Sequence, residues 1–379
     1  MNNPANHTPH RPAWVEIDLA RWRRNMALIR RALPRHCGWV SVVKDDAYGH
    51  GAGLAARLAR EGRAVMLAVS NLDEALRLRR SGVEDRILLL GERRPEEFAD
   101  CLARDITCCL GDMRLLPALR AQARKTGRPV PVHLKLNTGM NRYGVPWTAA
   151  AEAVSRIGGN ARQPLRVEGI FSHFAMSDEA DKTFAMLQLK RFQAALRKCG
   201  AVPLRHLCNS GGFLDLPEAH FDLVRLGILP LGVYPSQVCR RIPGILPVMS
   251  VKARITALRR IQAGEQVGYG MRYTAPTRRL IAVLPLGYGD GFPRVRNEGV
   301  VLLHCRRAPI VGGVSMDALT VDVTDIPGAR SGDTAVIMGR DQAEEITVHE
   351  LAGLKRSVSY DILSGWRSRL PRIIVNDVP

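Results

Sequence analysis

From Trp39 to Leu226, short apolar runs and amphipathic runs take turns along the chain, and this alternation limits the folds open to it. Strands are predicted at Trp39–Val43, Val65–Val69, Ile87–Leu90, Ile106–Leu110, Val130–Leu136, Arg166–His173, Leu204–Leu207 and Leu223–Leu226. Helices are predicted between most of them, at Leu54–Arg60, Leu72–Arg80, Pro95–Ala103, Met113–Lys125, Thr148–Ile157 and Lys182–Lys198. Gly82, Gly127, Gly158 and Gly200 stand where helix C-caps belong. The class is α/β, and eight short units favour a closed (β/α)₈ barrel over a doubly wound open sheet. Upstream, Asp18 is placed to cap a helix carrying Leu19, Trp22, Met26, Ile29 and Leu33 at helical spacing, ended near Pro34.

Beyond Pro243 the texture changes. Strands are predicted at Val248–Ile261, Leu280–Leu286, Gly299–Cys305, Ile310–Val314 and Thr334–Met338, with turns rather than helices between them. One late helix is predicted from Val348 to Lys355, after Thr347. The expected organisation is a loose tail over residues 1–13, a barrel over 14–243, and a smaller, mainly β domain over 244–379.

Composition removes several function classes. No apolar run approaches the roughly 18 residues that would cross a bilayer, and the first ten residues lack the basic and apolar regions of a signal peptide. The 8 cysteines contain no Cys-x-x-Cys pair, which argues for free thiols in a reducing cytoplasm and against a metal centre. The net charge of +19 is spread along predicted helices (Arg21, Arg23, Arg24, Arg30, Arg31; Arg77, Arg79, Arg80) without aromatics for base stacking. A solvated basic exterior is expected, not a nucleic-acid site.

A barrel of this kind carries its chemistry at the C-terminal ends of its strands. The first strand ends at Lys44, where a water-excluding mouth would lower the amine pKa and let it form a Schiff base with an aldehyde. Later strands run into Lys135–Arg142, into His173, into Asn209-Ser210-Gly211-Gly212 and into Arg225-Leu226-Gly227-Ile228. Backbone N–H groups at Gly227 and Ile228, with the Ser210 hydroxyl, suit a phosphate. Each residue alone has a bland reading: a solvated lysine, a hydrogen-bonded core histidine, an ion-paired arginine. Glycines 287, 289 and 291 suggest a dinucleotide loop, but Phe292-Pro293 follows instead of a helix, so a tight turn carrying Tyr288 is expected.

The string Lys44-x-x-Ala47-Tyr48-Gly49-His50-Gly51 resembles the pyridoxal-phosphate lysine motif of alanine racemases. The order of the later motifs is similar to that family's: Lys135–Arg142, His173, Asn209-Ser210, Arg225, Tyr269, Gly287–Gly291, Met316-Asp317 and Ser359-Tyr360-Asp361. The resemblance runs from about Trp14 to Ile374. It implies a fold-type-III pyridoxal-phosphate enzyme that interconverts L- and D-alanine for peptidoglycan. Lys44 and Tyr269 would act on opposite faces of Cα, with Tyr269 supplied by the partner in a head-to-tail homodimer. His173, bonded toward Arg225, would support Tyr269, and Arg225 would face the cofactor's ring nitrogen and leave it unprotonated. Arg142 would meet the cofactor's phenolic oxygen and the substrate carboxylate, oriented by a Lys135 that is often carbamylated in the family. Tyr48, Asn209, Ser210, Gly227, Ile228 and Tyr360 would hold the cofactor. Met316 and Tyr288 would bind substrate, with Asp317 in support.

Asp45, Asn137, Gly313 and Ala318 depart from the family's usual alanine, aspartate, arginine and glutamine. Racemisation of serine, lysine or arginine is the alternative reading. A non-enzymatic cofactor carrier is disfavoured by the second domain, and a decarboxylase by the lack of its glycine-run loop.

Overall fold

In the computed structural model, which describes residues 10–158 and 164–377, eight parallel strands close into a ring. They are Gly38–Val42, Met66–Val69, Ile87–Leu89, Ile106–Leu110, Val130–Asn137, Leu165–Phe171, Leu204–His206 and Leu223–Leu226. The ring is closed by the eighth strand on the first, from Leu223 opposite Gly38 to Leu226 opposite Ser41. The predicted barrel is therefore present, with every expected strand in place.

The helices carry local capping signals. Asn71 and Glu74 form a reciprocal capping box at the start of Leu72–Arg80. Asp18 accepts from the Arg21 N–H at the start of Leu19–Ala32. Gly82, Gly127 and Gly200 follow helix ends at positive φ, whereas Gly158 is still part of the helix Ala150–Gly158.

Strand alternation divides the core in two. Val40, Val42, Met66, Ala68, Leu88 and Leu223 form a small cluster inside the barrel, while Trp39, Val43, Leu67, Val69, Ile87 and Leu89 join the larger cluster beneath the helices. Fully burying an aliphatic side chain such as Leu88 is worth about 1.5–3 kcal/mol. The opposite half of the barrel interior is polar, and that half holds the site.

The mainly β domain is built on a sheet with the order Arg306–Pro309, Val300–Leu303, Thr334–Asp341, Met249–Arg254, Ala13–Asp18, Arg372–Val375. A second sheet joins Ala257–Ile261, Arg279–Leu284 and Leu319–Asp322.

Three sequence expectations need correcting. The barrel does not begin at residue 14: Ala13–Asp18 lies between Met249–Arg254 and Arg372–Val375 in the other domain's sheet. Its Ala13, Trp14, Val15 and Ile17 are all buried, and its apolar face is completed only by strands more than 200 residues further along the chain. The expected strand Val248–Ile261 is two strands in two different sheets. Ile310–Val314 contributes two isolated bridges, Ile310 to Val321 and Gly313 to Arg296, and the paired strand is Arg306–Pro309. The late helix Val348–Lys355 stands where expected, with Thr347 accepting from the Glu350 N–H. Of the expected N-terminal tail, residues 1–9 lie outside the described residues.

Candidate active site

The segment after the first barrel strand folds as a left-handed turn. Asp45, Asp46, Ala47 and Tyr48 have φ of 53°, 51°, 53° and 54°. Such a conformation costs an L-residue about 1–2 kcal/mol, and neighbours hold it in place. Glu74 accepts from the Asp45 N–H at 2.8 Å, and Asp46 accepts from the Ala52 N–H at 2.7 Å. The buried His50 reaches back, with Nδ1 3.1 Å and 3.0 Å from the Ala47 and Tyr48 carbonyls. The turn leaves Lys44 half-buried at the mouth and drives the Tyr48 ring inward, 6.0 Å from Lys44 Nζ. Burial and the positive charge of Arg142 hold the Lys44 amine below the usual lysine range.

Arg225 is the hub of the barrel interior. It is 3% exposed, and its guanidinium donates to the carbonyls of Ser172 (2.7 Å), Leu207 (3.0 Å) and His206 (3.2 Å). Two imidazoles complete the set, His173 Nδ1 and His206 Nδ1, each at 3.0 Å. None of these acceptors is a carboxylate. Burial pushes the Arg225 pKa down to about 10, which leaves it charged at neutral pH. Burial and the Arg225 charge hold His173 well below the usual imidazole range, so it is neutral. An arginine has no lone pair to offer, so His173 and His206 must both accept at Nδ1.

A second cluster lies across the mouth. Gly227 is required by close approach: a Cβ there would lie 2.3 Å from the Tyr48 hydroxyl. The Tyr48 and Tyr360 rings sit 5.9 Å apart, both phenols raised by burial. Asn209 caps the helix Ser210–Asp215 by accepting from the Gly212 N–H, which leaves Ser210 buried at that helix's first position. Gly227 is thus packed directly against Tyr48, while Ser210 and Ile228 are buried just past the ends of the neighbouring strands Leu204–His206 and Leu223–Leu226. Hydroxyls and backbone N–H groups of this kind suit a phosphate.

On the third side, Lys135 donates to the Leu90 carbonyl at 3.0 Å, and burial lowers its pKa. Arg142 lines a cavity of about 600 Å³ with Glu92, Tyr143 and Arg114. Its loop is set by Asn137, whose Oδ1 accepts from the N–H groups of Gly139 (3.0 Å) and Asn141 (3.1 Å).

The other expected residues stand apart. Tyr269 lies between Gln266–Val267 and Tyr273–Thr274 of the β domain, 80% exposed, with no hydrogen bond or ring contact to the barrel mouth among the described residues. Met316 is also exposed, and its carbonyl accepts from the Gly289 N–H at 2.8 Å. Tyr288 is bound to the same loop through Ser315, and Asp317 pairs with Arg369. The glycine run 287–291 is thus the expected tight turn, clamped to Ser315-Met316.

Sequence models of the alanine racemase N-terminal and C-terminal domains match residues 17–235 and 248–374. The chain belongs to the alanine racemase family. It is 39% identical to an alanine racemase of Symbiobacterium thermophilum, over 96% of this chain and 97% of that protein. A Carboxydothermus hydrogenoformans alanine racemase is also 39% identical, over 96% of this chain and all of its own length. Among solved structures, the alanine racemase of D-cycloserine-producing Streptomyces lavendulae superposes with a TM-score of 0.92 at 34% identity, covering 98% of this chain and 99% of its own. The enzyme from E. faecalis also gives 0.92, at 30% identity, covering 97% of this chain and 99% of its own.

The four departures from the alanine racemase pattern are structurally mild. Asp45 is exposed, and only its backbone is held. Asn137 uses an oxygen that an aspartate would also supply. A Cβ at Gly313 would meet Arg296 at an ordinary contact distance of 3.6 Å, and Ala318 closes a turn with Ser315 through its backbone. Sequence reasoning missed His206, which lies at a barrel strand's end where the barrel rule points, and Ser172, whose carbonyl holds Arg225. It also missed Gln188, which donates to the His173 carbonyl at 2.9 Å.

Proposed function

We propose that this protein interconverts L- and D-alanine with pyridoxal phosphate, and that it supplies D-alanine for the cell wall from the cytoplasm. The observation that carries the reading is the pairing, at one barrel mouth, of a pKa-lowered Lys44 with an Arg225 that has no carboxylate partner. When bound, pyridoxal phosphate would supply the sink for the negative charge left as Cα loses its proton.

The chain's own residues do the rest. Lys44 would hold the cofactor's aldehyde carbon, and its amine would then exchange a proton with one face of Cα. Tyr48, Ser210, Gly227 and Ile228 would take the phosphate, with Asn209 setting the Ser210 helix and Tyr360 backing Tyr48. Arg225 would face the ring nitrogen as a donor that does not release its proton, so the nitrogen would keep its lone pair. That moderates the electron sink and disfavours side reactions. Arg142 would neutralise the substrate carboxylate, aided by Lys135 and the Met316 backbone. Tyr288 would line the entrance, and Asp317 would hold it through Arg369.

The opposite face needs a second acid–base group, and Tyr269 is the candidate. An exposed phenol two residues from an exposed Met271 is understandable if a second copy covers it, Tyr269 of each chain completing the site of the other. Eight free cysteines support a reducing compartment, and no helix among the described residues is long and apolar enough to cross a membrane.

The test is purified protein with pyridoxal phosphate, given L-alanine, L-serine, L-lysine and L-arginine in parallel. Conversion dominated by alanine is expected; preference for another substrate would keep the chemistry and reject the alanine assignment. Mixing Lys44→Ala with Tyr269→Phe chains should restore activity that neither has alone, because one composite site of each mixed dimer is intact. No restoration would reject the shared site.

A further inference from the structure

Arg225 is buried without a carboxylate, yet a continuous path of side chains leads from it to one. His206 Nδ1 accepts from Arg225 at 3.0 Å, and His206 Nε2 lies 2.9 Å from His133 Nδ1. His133 Nε2 faces Glu168 Oε2 at 3.5 Å. His133 and His206 are fully buried and Glu168 nearly so. Phe171 stacks on His206 with ring centroids 4.8 Å apart, which fixes the ring's plane.

The backbone makes room for this path. Register shifts between Val132 and His133 against the strand Leu165–Phe171, leaving Glu168 as the extra residue of a bulge beside His133. A side chain at Gly169 would strike His133 Nδ1 at 2.5 Å. Glu168 is tied by Arg86, which precedes the strand Ile87–Leu89, and by Arg166. It therefore sits at the N-terminal end of the barrel, opposite the mouth.

The direction of the path follows from donors and acceptors alone. Arg225 can only donate, so His206 accepts at Nδ1 and carries its proton on Nε2. His133 must then accept at Nδ1 and carry its own proton on Nε2, which faces the Glu168 carboxylate at 3.5 Å, an ion-pair separation at which no hydrogen bond is formed in this structure. Burial holds both imidazoles below their usual range, so each keeps a single proton. We propose that Glu168 is a positioning residue for the site: it selects the Nε2–H tautomer of His133, hence that of His206, and so presents a lone pair to Arg225. This rests on the functional reading above only for its effect on turnover.

The experiment is nitrogen NMR of histidine-labelled protein, with and without pyridoxal phosphate, beside steady-state racemisation. His206→Gln and His133→Gln spectra assign the two rings. In the unaltered protein both rings should be Nε2–H tautomers. In Glu168→Gln the amide can donate to His133 Nε2, so the His133 tautomer should change and the His206 signals should move. Turnover should fall in both directions by about tenfold, while KM for alanine stays nearly constant. Glu168→Asp should keep the tautomers and most of the turnover. Arg86→Gln, which removes an ion-pair partner but leaves the carboxylate, should behave like the unaltered protein.

Unchanged tautomers in Glu168→Gln, or changed tautomers with unchanged turnover, would overturn the proposal. So would an Arg86→Gln variant as impaired as Glu168→Gln. A protein with the stated tautomers and no racemisation would support the path and reject the functional reading instead.

Discussion

Gly227→Ala probes the cofactor cradle with one carbon. The added Cβ would sit 2.3 Å from the Tyr48 hydroxyl and 2.9 Å from two of its ring carbons. Ordinary contact begins near 3.5 Å, so the ring would have to retreat by about 1 Å. It has little freedom to do so. Tyr360 stands against it, and its backbone lies in the left-handed turn held by Glu74, Asp46 and His50. Overpacking of this kind costs about 1–3 kcal/mol, and here the strain falls on the groups proposed to take the phosphate. Pyridoxal phosphate affinity should fall by about one to two orders of magnitude.

A double-mutant cycle with Tyr48→Phe isolates the cause. Removing the hydroxyl deletes the 2.3 Å contact, so Gly227→Ala should cost less in the phenylalanine background, with a coupling of about 0.5–3 kcal/mol. Both affinities are measured by titrating pyridoxal phosphate into cofactor-free protein and following its absorbance, with urea unfolding as the control for global stability. Unaltered affinity in Gly227→Ala, or strictly additive losses, would refute the close-approach argument.

Lys44→Ala should abolish the visible absorbance of covalently held cofactor, and a borohydride-reducible linkage surviving in that variant would remove Lys44 from its role. Tyr269→Phe should suppress Cα proton exchange unequally for the two enantiomers of alanine in deuterium oxide; equal small losses would count against an opposite-face acid–base group. His50 gives a pH prediction: burial pushes its pKa down to about 4, so the folded protein holds it neutral. Below about pH 6.5 the unfolded chain binds the proton first, so stability is full above that value and declines toward pH 4, by about 3 kcal/mol in all. Urea unfolding at pH 7.5 and 4.5 should show a smaller acid loss in His50→Gln, and an identical loss would refute the assignment.

Much of this molecule is written in local patterns. Alternating strand and helix runs specify a barrel because each βα unit carries its own periodicity and caps, as Asn71 illustrates. Lys44, His173 and Arg225 are legible because barrel chemistry gathers at strand ends, and those ends can be counted along the chain. Other features have no local signature. Ala13–Asp18 looks like a strand, but period-two alternation does not say which strand it pairs with, and its partners, Met249–Arg254 and Arg372–Val375, lie far along the chain. The left-handed course of Asp45–Tyr48 depends on Glu74 and His50, which lie outside the turn. His206, His133 and Glu168 belong to three different strands, and each alone reads as a buried polar residue. Hydrogen-bond direction is a property of the assembled path, so only tertiary structure could turn three separate side chains into one.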